Sequence, residues 1–176
     1  SSSFSQKFFN EKFAKENIDA FYDLHPIEDI EKFRDLVTEI DFCGMNVTIP
    51  YKKAVLPYCA VISDEVRRIG SANTLVKREG GWHAYNTDYS GFIYMLSSCG
   101  YSPEGKKAVV LGNGGASVAV VTALEDMGAA EIIVVSRKGE NNYANLFLHA
   151  DADVVVNATP VGMYPNTGVA AVSLDA

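Results

Sequence analysis

Lys107-Ala108-Val109-Val110-Leu111-Gly112-Asn113-Gly114-Gly115-Ala116-Ser117 is the stretch whose reading decides the fold. The opening residues form an apolar run without alternation, the mark of a strand buried on both faces, and they lead straight into a glycine turn. A helix is expected next, with Val118, Val121, Leu124 and Met127 on one stripe and Gly128 at its end. Glu131–Val135 is a second apolar run. Strand, glycine turn, helix, strand is the unit that holds a dinucleotide pyrophosphate at a helix N-terminus. Glycines there let backbone amides approach the phosphates, which makes Gly112, Asn113, Gly114, Gly115 and Ala116 the candidates for that contact. Ser117 replaces the third glycine of the fingerprint, and a methyltransferase or a plain structural turn can carry a similar loop.

The end of the second strand selects the cofactor. An NAD site usually carries an acidic residue about 20 residues past the glycines, where it holds the ribose hydroxyls. This chain has Ser136-Arg137-Lys138 at that place. A carboxylate repels a 2′-phosphate, whereas a guanidinium and an ammonium attract it, so NADP is the expected cofactor. A third apolar strand, residues 153–156, runs into Asn157-Ala158-Thr159-Pro160, and polar residues at the carboxyl end of a parallel strand border the cofactor cleft. Asn157 and Thr159 therefore join the candidate list.

Gly100 and Pro103 mark a boundary upstream. Before it the dominant feature is Gly44-Met45-Asn46-Val47-Thr48-Ile49-Pro50-Tyr51-Lys52. Asn46 and Thr48 point to the same side of a strand, and Pro50 is expected to open a helix with Lys52 in its first turn. A free lysine has a pKa of about 10.4, and the positive end of a helix disfavours its charged form. Such a lysine can act as acid and base; the plainer alternative is a solvated lysine at a strand–turn–helix junction.

Other elements are read around this stretch. Residues 6–16 carry Phe9 and Phe13 one turn apart, with Ser5 available as an N-cap. Residues 20–24 read as a short strand, and residues 29–40 as an amphipathic helix on Ile30, Phe33, Val37 and Ile40. Short helices are expected near residues 53–56 and 64–69. Residues 73–77 and 81–85 form a hairpin turning at Glu79-Gly80-Gly81. A helix over 88–98 begins at Asn86-Thr87-Asp88, where Asp88 could serve as an ordinary cap.

The 176 residues are 48% hydrophobic and 21% charged, ordinary globular proportions with room for one large or two small domains. A net charge of −7 argues against a broad nucleic-acid-binding face. No apolar run approaches the roughly 18 residues of a membrane span. Cys43, Cys59 and Cys99 lack metal-ligand spacing and His25, His83 and His149 are scattered, so no metal is expected. Three buried reduced thiols in a cytoplasmic protein is the reading of the cysteines. The chain opens at Ser1 without an initiator Met or signal-like segment, which suggests a missing start.

With these residues in place, the chain resembles the shikimate dehydrogenase family across nearly its whole length. The family's serine pair and first-helix Asn look like Ser3-Phe4-Ser5 and Asn10, and its lysine motif is similar to residues 44–52 almost without change. Its Gly-Ala-x-Asn-Thr stretch resembles Gly70-Ser71-Ala72-Asn73-Thr74, and Asn86-Thr87-Asp88 matches another of its motifs. The nucleotide loop, the basic strand end and the run from Asn157 to Met163 follow in the family's spacing. Gln6 stands where the family usually has Pro, Phe9 where it often has His, and Ala84 where a Gly usually lies. Ser136 and Lys138 replace the more usual Asn and Thr. Family members begin with a further strand and end with a further segment, so this chain looks like a copy truncated at both ends.

The resemblance implies an α/β protein. An N-terminal substrate domain (residues 1–99) and a Rossmann-like, doubly wound NADP-binding domain (residues 100–176) would flank a cleft holding the active site, with Lys52 and Gly114 facing it. It implies reversible reduction of 3-dehydroshikimate to shikimate by NADPH, on the route to chorismate and aromatic amino acids, by a monomer or homodimer. Lys52 would be the acid and base, and Asp88 would bond the same hydroxyl and hold Lys52. Ser3 and Ser5 would hold the substrate carboxylate, Thr48 and Asn73 would read ring hydroxyls, and Asn46 would brace the loop. The alternatives are a quinate/shikimate dehydrogenase of broader scope and a non-catalytic NADP-binding relative. A methylenetetrahydrofolate-dehydrogenase-like enzyme shares the two-domain plan, but the Ser-x-Ser and Asn-Thr-Asp motifs argue against it.

Overall fold

A computed structural model of the chain describes residues 4–173, which fall into two compact units divided between Asp41 and Phe42. The first unit opens with helix α1 (Phe4–Glu16), which begins one residue ahead of Ser5 and so leaves that serine inside the helix and not at its cap. Phe9 stacks on Tyr22 with ring centroids 5.2 Å apart. Residues 20–24 are not a strand. Instead the Asn10 amide brackets Tyr22, donating to its carbonyl at 2.8 Å and accepting from its N–H at 2.7 Å. A side chain thus does for that backbone what a sheet ladder would otherwise do. The helix expected over 29–40 splits into a 3-10 turn, Ile30–Lys32, and helix α2 (Phe33–Glu39). Asp29 caps the turn by accepting from the Glu31 N–H at 2.9 Å.

The second unit holds two sheets. One takes strands β1 (Gly44–Asn46), β2 (Val61–Ile62), β3 (Thr74–Arg78) and β4 (Gly81–Tyr85) in the order β1-β3-β4-β2. The expected hairpin β3–β4 turns through Glu79 and Gly80, with Arg78 opposite Gly81 and positive φ at Gly80 and Gly81. Helix α3 (Asp64–Ile69) ends at Gly70 in the left-handed region, where a glycine costs least. The segment after β1 departs from expectation. Residues 49–55 are turns and only Leu56–Tyr58 is helical, as a 3-10 turn, so no α-helix starts at Pro50.

Helix α4 (Thr87–Ser98) leads to strand β5 (Lys107–Leu111), helix α5 (Gly115–Asp126), and strands β6 (Glu131–Val135) and β7 (Val154–Asn157). These three strands are all parallel, in the order β6-β5-β7. β5 is covered on both sides, as its unbroken apolar run requires. Ala108 and Val110 pack with Ala123 and Leu124 of α5 and with Phe92 and Leu96 of α4. Val109 and Leu111 pack on the other face with Val135 and Leu146. Helix α4 therefore lends its C-terminal half to the core of the parallel sheet, while its N-terminus carries Asp88. Of the expected stripe on α5, Leu124 is buried and Val121 and Met127 pack against the same core, but Val118 does not. Val118 is exposed, and the sheet is met by small residues, Ser117, Ala119 and Ala123, that let helix and strand approach closely. The cysteines also differ from expectation: Cys43 and Cys99 are exposed, Cys59 is half-buried and all three are free.

Candidate active site

The strand order puts a reversal of direction at β5: the chain passes to β6 on one side and to β7 on the other. In open α/β sheets the crevice beyond the strand ends at such a point is where ligands bind. A cavity of about 460 Å³ lies there. Gly112, Asn113 and Gly114 border it from the end of β5. Gly112 has φ +105, and an added Cβ would lie 3.0 Å from the Thr159 methyl and 3.1 Å from the Ala158 carbonyl oxygen, so only glycine fits between the two loops. Gly114 is the N-cap of α5, whose first amides have no partner within the helix and face a ligand at its N-terminus. Gly115 and Ala116 are exposed in that first turn and do not border the cavity.

Ser136 and Arg137 border the same cavity from the end of β6; Lys138, beside them, is exposed and does not. Among the described residues neither Arg137 nor Lys138 has an ion-pair or hydrogen-bond partner. No carboxylate stands among the bordering residues to repel a 2′-phosphate, so the donor set fits NADP. After β7 the border includes Thr159, but its hydroxyl is already engaged. It donates to Asn157 Oδ1 at 2.6 Å and accepts from the Val161 N–H at 3.2 Å. Asn157 does not reach the cavity; its amide donates to the Val161 carbonyl at 3.0 Å and accepts from the Thr159 N–H. These two residues shape the loop. Tyr143 borders the cavity as well, and no spacing rule pointed to it.

A second cluster forms where the four-stranded sheet meets the N-terminus of α4. Lys52 Nζ lies 3.3 Å from Asp88 Oδ2, and both side chains are partly exposed. Asp88 is not the helix cap. Asn86 takes that role, accepting from the N–H groups of Asp88 at 3.1 Å and Tyr89 at 3.4 Å while its own amide donates to the Ser71 carbonyl. The Asp88 carboxylate is thereby left for Lys52. With no α-helix beginning at Pro50, the helix dipole expected to act on Lys52 is absent; the charge beside it is Asp88. The Lys52 carbonyl accepts from the Ala72 N–H at 2.8 Å, which ties the lysine turn to the chain entering β3.

Asn73 is the hub of this corner. Its Oδ1 accepts from the Thr87 N–H at 2.8 Å, from the Thr87 hydroxyl at 3.1 Å and from the Thr74 hydroxyl at 3.0 Å. A backbone N–H can only donate, so the oxygen of the amide is identified and Nδ2 is left as a donor without a partner among the described residues. Asn46 donates to the Thr74 hydroxyl at 3.4 Å, in keeping with a bracing role. Thr48 is exposed and its hydroxyl has no partner among the described residues. Ser5 lies in the first unit and Ser3 lies outside the described residues.

A third set of contacts joins the two sheets' helices. Arg68 of α3 donates to Asp126 at 2.5 Å and to Glu125 at 2.7 Å, both in the last turn of α5. Tyr89 of α4, next to Asp88, donates to Asp126 Oδ2 at 2.7 Å. That hydrogen bond, with burial second, pushes the Tyr89 phenol up to about 12. The bonds from Arg68 and then Tyr89 hold the Asp126 carboxyl below the usual range. Two carboxylates at the negative end of a helix are unfavourable unless a cation meets them, and Arg68 does so.

A parallel sheet with a glycine cradle and a basic strand end, beside a paired lysine and carboxylate, defines the class: a nucleotide-dependent oxidoreductase of the α/β type. Residues 1–75 match the family model of the shikimate dehydrogenase substrate binding domain. A shikimate dehydrogenase (NADP(+)) from Clostridium perfringens (strain SM101 / Type A) is 37% identical over an alignment covering 97% of this chain and 69% of the relative. Among solved structures, a chorismate mutase/shikimate 5-dehydrogenase fusion protein from Clostridium acetobutylicum is 38% identical with a TM-score of 0.88, covering 98% of this chain and 67% of that one. Shikimate 5-dehydrogenase from Thermus thermophilus, in complex with NADP(H) and shikimate, is 29% identical with a TM-score of 0.81, covering 97% and 69%. The chain belongs to the shikimate dehydrogenase family. It spans about two thirds of the length of these relatives.

Proposed function

We propose that this protein reversibly reduces 3-dehydroshikimate to shikimate with NADPH, as a step toward chorismate and the aromatic amino acids. The observation that carries the reading is the Lys52–Asp88 pair, with Asn86 taking over the cap and so leaving the carboxylate to the lysine. NADPH, when bound, supplies the hydride. This chain's residues handle the proton: reduction of a ketone leaves charge on its oxygen, and Lys52 Nζ is the donor placed to neutralise it. In the oxidative direction Lys52 takes that proton back from the hydroxyl. Asp88 orients the ammonium and balances its charge. The unpartnered Asn73 Nδ2 and Thr48 hydroxyl are the groups for ring hydroxyls, and such sites reject analogues lacking those hydroxyls strongly. Ser3 and Ser5 stand as carboxylate donors on the motif.

Gly112–Gly115 and Ala116 cradle the pyrophosphate, and Ser136, Arg137 and Lys138 take the 2′-phosphate. Asn157 and Thr159 act through the loop they close. The functional halves divide at residues 99 and 100, the first supplying the chemistry and the second the nucleotide. The three free thiols favour a reducing compartment, the cytoplasm, and among the described residues no helix is long and apolar enough to cross a membrane. The assembly is a monomer or homodimer. Steady-state rates with shikimate and quinate, each with NADP and NAD, test the reading. Oxidation of shikimate with NADP should be fastest; comparable rates with quinate would move the protein to the broader dehydrogenases, and no turnover of either would remove the reading.

A further inference from the structure

The nucleotide cleft offers amides for the pyrophosphate, cations for the 2′-phosphate and small residues that let the chains approach. None of these roles accounts for Tyr143. Tyr143 borders the cavity together with Ser136 and Arg137, it is the one aromatic residue among the described residues that do so, and it is 37% exposed. Its phenol has no partner among the described residues. The other side chains on that border, such as Ala158, Val161 and Ala171, offer no flat surface.

The loop that presents Tyr143 is built to hold it. The Ser136 N–H donates to the Asn141 carbonyl at 3.0 Å, which fastens the loop to the end of β6. The Asn142 N–H donates to Asn145 Oδ1 at 2.7 Å, and the Ala144 N–H to Asn142 Oδ1 at 3.0 Å, one on each side of Tyr143. Asn145 Nδ2 donates to the Glu140 carbonyl at 2.9 Å, and His149 Nε2 meets Asn141 Oδ1 at 3.1 Å. Two asparagine side chains, Asn142 and Asn145, thus satisfy the backbone of a short loop and a third, Asn141, ties it to His149, so its conformation is set before any ligand arrives.

We propose that Tyr143 is a cofactor-binding residue whose ring forms one wall of a slot for the adenine of the nucleotide. The proposal rests on the reading of this cleft as the NADP site. A purine has a π-face that stacks on an aromatic ring. Adenine is common to NAD and NADP, so Tyr143 supports both, while Arg137 and Lys138 discriminate between them by charge.

Isothermal titration of NADP and of NAD against wild type, Tyr143→Ala, Tyr143→Phe and Arg137→Ala tests this, with thermal denaturation of each variant run alongside. Tyr143→Ala should raise Kd for both nucleotides by about tenfold, the scale of one aromatic–base stack, and Tyr143→Phe should bind both like wild type. Unchanged binding in Tyr143→Ala, or a loss confined to NADP, overturns the adenine slot. So does a loss in Tyr143→Phe as large as in Tyr143→Ala, which would transfer the contact to the phenol oxygen. Arg137→Ala separates the two levels. If it weakens NADP alone while Tyr143→Ala changes neither nucleotide, the slot is wrong and the NADP site stands. If it leaves NADP binding unchanged, the NADP site itself is misassigned.

Discussion

The proposed nucleotide site at the end of β5 is built of backbone: amides of a glycine loop, a helix N-terminus, and a close approach of two loops that only Gly112 permits. The proposed substrate corner at the N-terminus of α4 is built of side chains: Lys52 on Asp88, and Asn73 holding Thr74 and Thr87 with one oxygen. The difference sets what each region tolerates. A backbone-made site accepts side-chain changes at most positions and fails where a Cβ enters. A site made of side chains depends on the identity of each group, because the partners of each are specific atoms.

The largest expected effect is on the side-chain region. Lys52→Ala should lower kcat by about 10²–10⁴-fold, the usual worth of a positioned proton donor, with a modest change in KM. If the loss falls wholly on KM, Lys52 binds substrate and the contrast between a chemical corner and a binding cleft disappears. In the cleft, Arg137→Ala should raise Kd for NADP by about 10–100-fold, leave NAD nearly unchanged and make NADP binding less salt-sensitive. Titration of both nucleotides at two salt concentrations reads this, and equal weakening of the two would show that Arg137 does not meet the 2′-phosphate.

Gly112→Ala sharpens the backbone half of the comparison. A non-glycine residue held at φ +105 costs about 1–3 kcal/mol before the contacts at 3.0 and 3.1 Å are relieved. Urea denaturation should show that loss, and NADP and NAD should weaken together. Selective loss of one nucleotide would mean that the loop discriminates as well as supports.

The smallest effect concerns the contact between the regions. The Tyr89 phenol is raised to about 12 by its bond to Asp126. Between the ordinary tyrosine value near 10 and about 12, the folded state holds a proton that the unfolded state has lost. The stabilisation from this group is therefore complete below about pH 10 and disappears as pH rises through about 12. Tyr89→Phe should destabilise the protein at pH 8 and lose that difference at pH 12. Asp126 runs the other way: its carboxyl is held low, so its contribution is present above the ordinary carboxylate range and fades in acid. Chemical denaturation at both pH values compares mutant with wild type, and a constant gap would show that the phenol–carboxylate bond contributes nothing to stability.

What the sequence determined by itself is whatever residues close in the chain decide among themselves. A two-residue glycine turn pins the register of β3 on β4, Asn86 caps α4, and an unbroken apolar run ending in glycines makes β5 and its cradle. Lys52 and Asp88 were both legible as chemistry because of the motifs around them. Their pairing needed segments more than thirty residues apart to meet. Tertiary structure alone decided that residues 20–24 are held by the Asn10 side chain, that Pro50 opens turns in place of a helix, and that Val118 of the expected α5 stripe stays in solvent. It also brought Tyr143 to the cleft, where no periodicity points. The physical reason is that turns, caps and apolar runs are settled by local sterics and local hydrogen bonds. A buried amide or a loop tip instead takes whichever partner the distant chain delivers, and it must take one because an unsatisfied polar group is costly.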